Sequence, residues 1–277
     1  SIEEDLLPVE DIAPEKRDDQ QEVHNYIRAL NYGIKRIADD DFPLCNRLIC
    51  EIHKILLSGV RGKYKTPGEI RKSQNWIGGS KPSDAVYVPP NIVDLPDLMS
   101  DLEKFINADN WNVPNLIKIA ILHYQFETIH PFLDGNGRIG RLIIPLYLLD
   151  KNMLSKPCFY ISDFFEKHRT EYYDALNRVR LNNDLIGWIK FFLRAVIETA
   201  KSAKLKFKRV TIYVKETEEK ALKLGGRSEN TLKVLRLFYD EPVLDSSTII
   251  NKTGISKRTL DSIIKRFYEN NILGELT

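Results

Sequence analysis

Between His130 and Arg141 the chain reads His130-Pro131-Phe132-Leu133-Asp134-Gly135-Asn136-Gly137-Arg138-Ile139-Gly140-Arg141. One imidazole, one carboxylate, three glycines and two guanidinium groups thus stand within twelve residues. Chemistry at a phosphate needs that combination: cations to neutralise phosphate oxygens, an acid to hold a metal and a positioned base. Gly135, Asn136 and Gly137 let the backbone approach a ligand and aim N–H groups outward. A helix starting here adds partial positive charge at the same spot, and Arg138 and Arg141, three apart, lie on one face of it. An imidazole that titrates near neutrality makes His130 the candidate base.

The elements that must position these groups are legible on either side. Leu116 to Ile129 is apolar on nearly every face, as in a buried helix. Pro131 pushes His130 out of the right-handed helical region, so the helix ends with the ring at its rim. Three other loops share part of the pattern, and each fails. Gly135-x-Gly137-x-x-Gly140 resembles a dinucleotide fingerprint, but the upstream segment is a buried helix and no βαβ unit surrounds it. A Walker A loop needs Lys and Ser or Thr where Arg141 and Leu142 stand. An EF-hand would place a cation, Arg138, at a ligand position.

Elsewhere, apolar spacing predicts a first amphipathic helix from Val23 to Ile37 and a second from Leu44 to Leu56. Further helices are predicted at 94–107, 114–129, 136–151, 162–181 and from 185 onward. Residues 1–19 read as an acidic, proline-punctuated lead-in. Asn75-Trp76-Ile77 and Ala85 to Val88 read as two short strands of a hairpin with a loose loop. Gly225-Gly226 breaks the last long helix. This divides the chain into a mainly α domain over 20–224 and a small domain over 225–277. Beyond the break, helical patterns at 231–239, 246–253 and 257–270 surround a Gly254 turn, with Ser256 as N-cap, a helix-turn-helix arrangement.

Composition excludes little. The 277 residues carry 41 Lys plus Arg against 39 Asp plus Glu, a net charge of +2, so no global field points to nucleic acid. No apolar run reaches the ~20 residues of a membrane span, and no secretory leader is visible. Three cysteines, Cys45, Cys50 and Cys158, sit among apolar neighbours and suit reduced thiols in a cytoplasm.

The string from His130 to Arg141 resembles the full signature of the Fic family, HPFxDGNGRxxR. The likeness extends over roughly 20–200, including Thr66-Pro67-Gly68-Glu69-Ile70-Arg71 and the run from Phe164 to Tyr173. It implies an all-α Fic-type helical bundle with a short β-hairpin flap, which transfers AMP from ATP to a Ser, Thr or Tyr hydroxyl of a target protein. By resemblance, His130 is the general base and Asp134 holds Mg²⁺. The N–H groups of Gly135 to Arg138 and the Asn136 amide stabilise the α-phosphate, Gly140 belongs to the same cradle, and Arg138 and Arg141 clamp the outer phosphates. Trp76, Ile77 and Gly78 fall at flap positions that pair with an extended target segment. Tyr172, Tyr173, Arg180 and Trp188 fall where the adenine is bordered, with Tyr173 and Arg180 taken as nucleotide-binding. Doc-like relatives carry Lys at the position of Gly137 and donate the γ-phosphate, so Gly137 favours AMP transfer.

Many Fic proteins also carry an inhibitory helix, [ST]xxxE[GN]. No segment matches it: Asp5-Leu6, Glu229-Asn230 and Glu269-Asn270 each lack a required residue. That leaves a helix preceding Ser1 or one supplied by a separate protein. The tail is similar to winged-helix modules and displays Lys257, Arg258, Ser262, Lys265 and Arg266. DNA, a protein or a homo-oligomeric copy of the chain stays open as its partner, as does self-AMPylation. The competing readings are a DNA-binding regulator whose Fic site senses nucleotide, or a related phosphate-transferring, UMP-transferring or de-AMPylating enzyme. The intact His130, Asp134 and both arginines favour catalysis.

Overall fold

The computed structural model describes residues 14–59, 64–108, 112–154, 159–225 and 228–274; side chains of 14–19 and of 228 are outside that description. Cys158 and the lead-in before Pro14 also lie outside it. Eleven α-helices are present among the described residues: α1 Pro14–Ala38, α2 Asn46–Leu56, α3 Leu95–Asn107, α4 Asn115–Ile129, α5 Asn136–Asp150, α6 Ser162–Lys167, α7 Arg169–Asn182, α8 Leu185–Lys223, α9 Ser228–Asp240, α10 Ser246–Thr253 and α11 Lys257–Glu269. Two compact units divide the chain within α8, between Ala203 and Lys204, rather than at Gly225.

In the first unit, α1 packs on α2 and α5, and α4 packs on α3 and α5. Helix α4 buries Leu122 and Phe126 together with polar His123 and Glu127, as its unbroken apolar sequence requires. Its central position brings its C-terminal end, and so His130, into the bundle. Phe132, fully buried, anchors the loop that follows; burying such a ring is worth about 1.5–3 kcal/mol. Around His123 lie Phe165, Tyr172, Trp188 and Phe192, with ring centroids 5.5 to 6.1 Å away. The Trp188 Nε1–H donates to the Ala120 carbonyl at 2.8 Å. Tyr172 and Trp188 are therefore core residues.

Three predicted elements differ. Helix α1 starts at Pro14, inside the expected lead-in; proline suits a first turn, whose N–H groups have no helical partner. The 162–181 helix is split at His168, whose backbone leaves the helical region at φ −112° and ψ 34° while its ring stacks on Phe164 at 4.2 Å. The expected hairpin is reduced to one antiparallel bridge, Ile77 with Tyr87. Its extension is blocked on both sides. Gly78 and Gly79 take φ of 71° and 69° and lead into a 3-10 turn over Pro82–Asp84. At the other end Pro89 and Pro90 have no N–H to donate.

In the second unit, α9, α10 and α11 pack together, with Val234, Leu235, Ile249, Leu260, Ile263 and Phe267 buried alongside Ala221 of α8. Gly254, at φ 69°, closes α10, and Ser256 Oγ accepts from the Thr259 N–H at 3.3 Å to open α11. No strand follows α11 among the described residues. Arg266, expected on the exposed face, folds back and donates to the carbonyls of Ser262, Leu224 and Gly225. Among the described residues no helix is long and apolar enough to cross a membrane. Cys45 and Cys50 are unpaired and half-buried.

Candidate active site

His130 caps α4 in the left-handed region, at φ 50° and ψ 59°. A non-glycine residue held there costs about 1–3 kcal/mol, so neighbouring structure must enforce it. Arg71 does so. Its side chain is 2 % exposed; Nε donates to the His130 carbonyl at 3.0 Å, Nη1 to Ser73 at 3.3 Å and Nη2 to Pro90 at 2.5 Å. The Arg71 N–H also donates to Pro131 at 2.8 Å. One buried guanidinium thus joins the flap segment to the start of the loop.

The ring of His130 points its Nδ1–H toward the Glu127 carbonyl at 3.4 Å, which leaves Nε2 as the nitrogen with a free lone pair. Burial, aided by the positive charges of Arg180 and Arg71, pushes its pKa down to about 4. The imidazole is therefore neutral and able to accept a proton throughout the neutral range.

The loop is built from inside by two groups. Asn136 is buried; its side chain accepts from the Phe132 N–H and donates to the Phe132 carbonyl, both at 2.8 Å. One donor of this amide is thereby committed to the loop itself. His53 stacks on Phe132 at 3.8 Å. Because the Gly68 N–H donates to its Nδ1 at 2.8 Å, its proton sits on Nε2 and is donated to the Asp134 carbonyl at 3.0 Å. Burial lowers the His53 pKa, consistent with that neutral form. Asn75 adds a bond to the Phe132 carbonyl at 2.9 Å.

What remains free defines the site. The Gly135 N–H is taken by Asp134 Oδ1 at 2.6 Å, so it is withdrawn from the expected cradle. The N–H groups of Asn136, Gly137 and Arg138, the first turn of α5, have no acceptor among the described residues. Gly135 at φ 76° permits that turn. Arg141 Nη1 lies over Gly137, 3.3 Å from where a Cβ would stand, and Arg141 has no ion pair among the described residues. Arg138 is engaged: Nη1 meets Glu22 of α1 at 2.9 Å and Nη2 lies 3.6 Å from Asp134. Arg141 and half-exposed Tyr173 line a cleft of about 410 Å³ with Ser162, Asp163, Phe165, Glu166, Arg169 and Tyr172.

Arg180 lies over the Tyr87 ring at 3.6 Å, and Tyr87 Oη donates to Thr128 at 2.9 Å. It ties the flap to α4. Flap residues alternate: Ile77 and Tyr87 are half-buried, while Trp76, Gly78, Val86 and Val88 are exposed. His53, Glu22 and Glu127 were not singled out from sequence. A histidine on the apolar face of α2 is the only signal that His53 offered.

Gly140 is required for packing. A Cβ there would stand 2.3 Å from Glu127 Oε1 and 3.2 Å from His123 Cε1. Gly140→Ala should therefore lower stability by about 1–3 kcal/mol despite its better helix propensity. In a Glu127→Ala background the penalty should shrink, a coupling that denaturation midpoints of the four proteins will measure.

A helical protein with a turn of unbonded N–H groups, among the described residues, beside a neutral imidazole is what the fold and site define. Residues 43–148 match the Fic/DOC family model. It is similar to the protein adenylyltransferase Fic of Culex quinquefasciatus, with 33% identity over 175 residues, covering 61% of this chain and 31% of that protein. The Fic protein adenylyltransferase of Aedes aegypti matches at 33% identity, covering 61% and 32%. The chain thus spans about a third of the length of these curated relatives. In fold it resembles a Fic family protein from Desulfovibrio desulfuricans, with a TM-score of 0.60 and 22% identity over 97% of this chain and 76% of the other. Fic-1 from C. elegans (residues 134–508) gives 0.54 at 20% identity, covering 72% and 54%.

Proposed function

We propose that the chain transfers AMP from ATP to a Ser, Thr or Tyr hydroxyl of a target protein. The observation that carries this reading is that one loop bears the N–H groups of residues 136–138 and the Arg141 guanidinium, without acceptor or ion pair among the described residues, beside a neutral His130. His130 Nε2 takes the proton of the target hydroxyl as its oxygen attacks the α-phosphorus, and pyrophosphate leaves. The amides of Asn136, Gly137 and Arg138 then stabilise the charge gathering on the α-phosphate oxygens. Arg141 and Arg138 bind the outer phosphates, and Tyr173 borders the nucleotide from the cleft.

Asp134 is the residue that would hold Mg²⁺. Among the described residues no group of three acidic, His or Cys side chains could hold a metal alone. A single half-exposed carboxylate suits an ion whose other ligands are nucleotide phosphates and water. When bound, Mg²⁺ would neutralise phosphate charge. The exposed edge bearing Trp76, Gly78, Val86 and Val88 is free to pair with an extended target segment.

The Glu22–Arg138 pair competes with phosphate for the same guanidinium in this account. Glu22→Ala should tighten ATP binding about two- to fivefold, the worth of a partly exposed ion pair. An unchanged Kd would show that the pair does not compete.

Incubation with Mg²⁺ and ATP labelled at the α- or the γ-phosphate tests the transfer itself. Protein-bound label from α alone supports AMP transfer. Label from γ alone, or none from either with candidate targets present, contradicts it.

A further inference from the structure

Glu127 stands one turn before His130 on α4, and its carboxyl occupies the space left by the missing side chain of Gly140 on α5. The residue is 7 % exposed, and its Oε1 is buried without a hydrogen-bond partner. A lone buried carboxylate is costly, and an orphaned oxygen makes it more so. Burial accordingly pushes the Glu127 pKa up to about 7, with the positive charges of Arg141 and Arg180 holding it from rising further. Neither arginine forms an ion pair with it among the described residues, so the restraint acts through space.

The groups facing this carboxyl are few. On α4, His123 is held neutral: its Nδ1–H donates to Gly140 at 3.0 Å, its Nε2 accepts from Tyr172 Oη at 3.0 Å, and burial lowers its pKa to about 4. His130, on the same helix, is neutral as well. Helix α5 contributes Arg141. Helix α7 contributes Arg180 and Tyr172, whose phenol pKa is raised by burial and by Glu127 itself. Among the described residues, only the two guanidinium groups counter a negative charge on Glu127, and Arg141 is the one that borders the loop and the cleft.

We propose that Glu127 takes up a proton when a nucleoside triphosphate settles against Arg141, so that nucleotide affinity falls as pH rises above neutrality. The inference rests on the nucleotide-site reading given above. A bound polyphosphate cancels the positive potential that favours the ionised carboxyl. The proton is then held more tightly in the complex than in the free protein, and linkage requires that binding weaken as the proton becomes scarce. The ionised carboxyl draws on the positive potential of Arg141 through space, and the protonated one does not.

The test is calorimetric titration with Mg²⁺ and α,β-methylene-ATP at pH 8, in buffers of different ionisation enthalpy. At that pH the phosphates of the free nucleotide are deprotonated. Wild type should take up more protons than Glu127→Gln, by up to one per nucleotide. Its Kd should rise with pH above 7 by up to about tenfold per unit, beyond any rise in the variant. Equal proton counts and parallel Kd values would overturn the proposal while leaving the nucleotide site intact. Failure of wild type to bind would overturn the site reading and the proposal with it. Should Glu127→Gln not fold, infrared difference spectra of wild type serve instead: the protonated-carboxyl band should grow on nucleotide addition at pH 8, and no growth refutes the uptake.

Discussion

His130→Ala should lower AMP transfer by about 10²- to 10⁴-fold, the usual worth of a positioned general base, while ATP still binds. The ring donates through Nδ1 to a backbone carbonyl, its charge is suppressed by burial, and only Nε2 is left to act. Among the described residues, neither of the other buried histidines nor Glu127 can replace it. His53 and His123 have both nitrogens committed to hydrogen bonds, and Glu127 holds a proton into the neutral range. Because position 130 is left-handed, His130→Asn is the better control: asparagine tolerates φ 50° where alanine is strained. Both variants should lose the rate, and Asn should keep more of the melting temperature. Steady-state transfer of α-label, followed beside thermal unfolding, separates the two effects. A rate within threefold of wild type in either variant would remove His130 from the chemistry.

The second large effect is expected at Arg71. Its guanidinium is buried and satisfies the carbonyls of His130, Ser73 and Pro90 at once. Arg71→Ala would leave three acceptors without donors, and hydrogen bonds to a charged group are worth about 1.5–3 kcal/mol each. A loss of about 3 kcal/mol or more is expected. Arg71→Lys should recover little of it, since an ammonium cannot reproduce the planar fork. Because the same side chain holds the strained carbonyl of His130, transfer should fall more than unfolding alone explains when assayed well below the melting temperature. Hydrogen exchange over residues 74–90 should accelerate in the variant. A flap that exchanges at the wild-type rate would show that Arg71 is not what fastens it.

The helices were legible because apolar spacing in α2, α3, α4 and α11 is the pattern that burial selects, and Ser256 and Gly254 carry their own local geometry. Residues 130–141 were legible for a similar reason, since loop, helix start and clamps are contiguous. The supports of that loop were not. His53 reaches Asp134 from 81 residues away, Arg71 reaches His130 from 59, and Glu22 reaches Arg138 from 116. No short-range pattern encodes such contacts. Asn136 and Gly135 show the opposite failure: both belong to the motif, yet part of their polar capacity is consumed within it. The hairpin was overestimated because β-prone residues were weighed without the glycines and prolines that stop the ladder after one bridge.

The most direct test of the central claim follows backbone amide resonances while Mg²⁺ and α,β-methylene-ATP are titrated into the protein. Asn136, Gly137 and Arg138 should shift together, with one affinity, and the Arg141 side-chain signal should shift with them. Gly135, whose N–H is already bonded to Asp134, should move less. Saturable binding that shifts resonances elsewhere and leaves residues 136–138 unmoved would contradict the account.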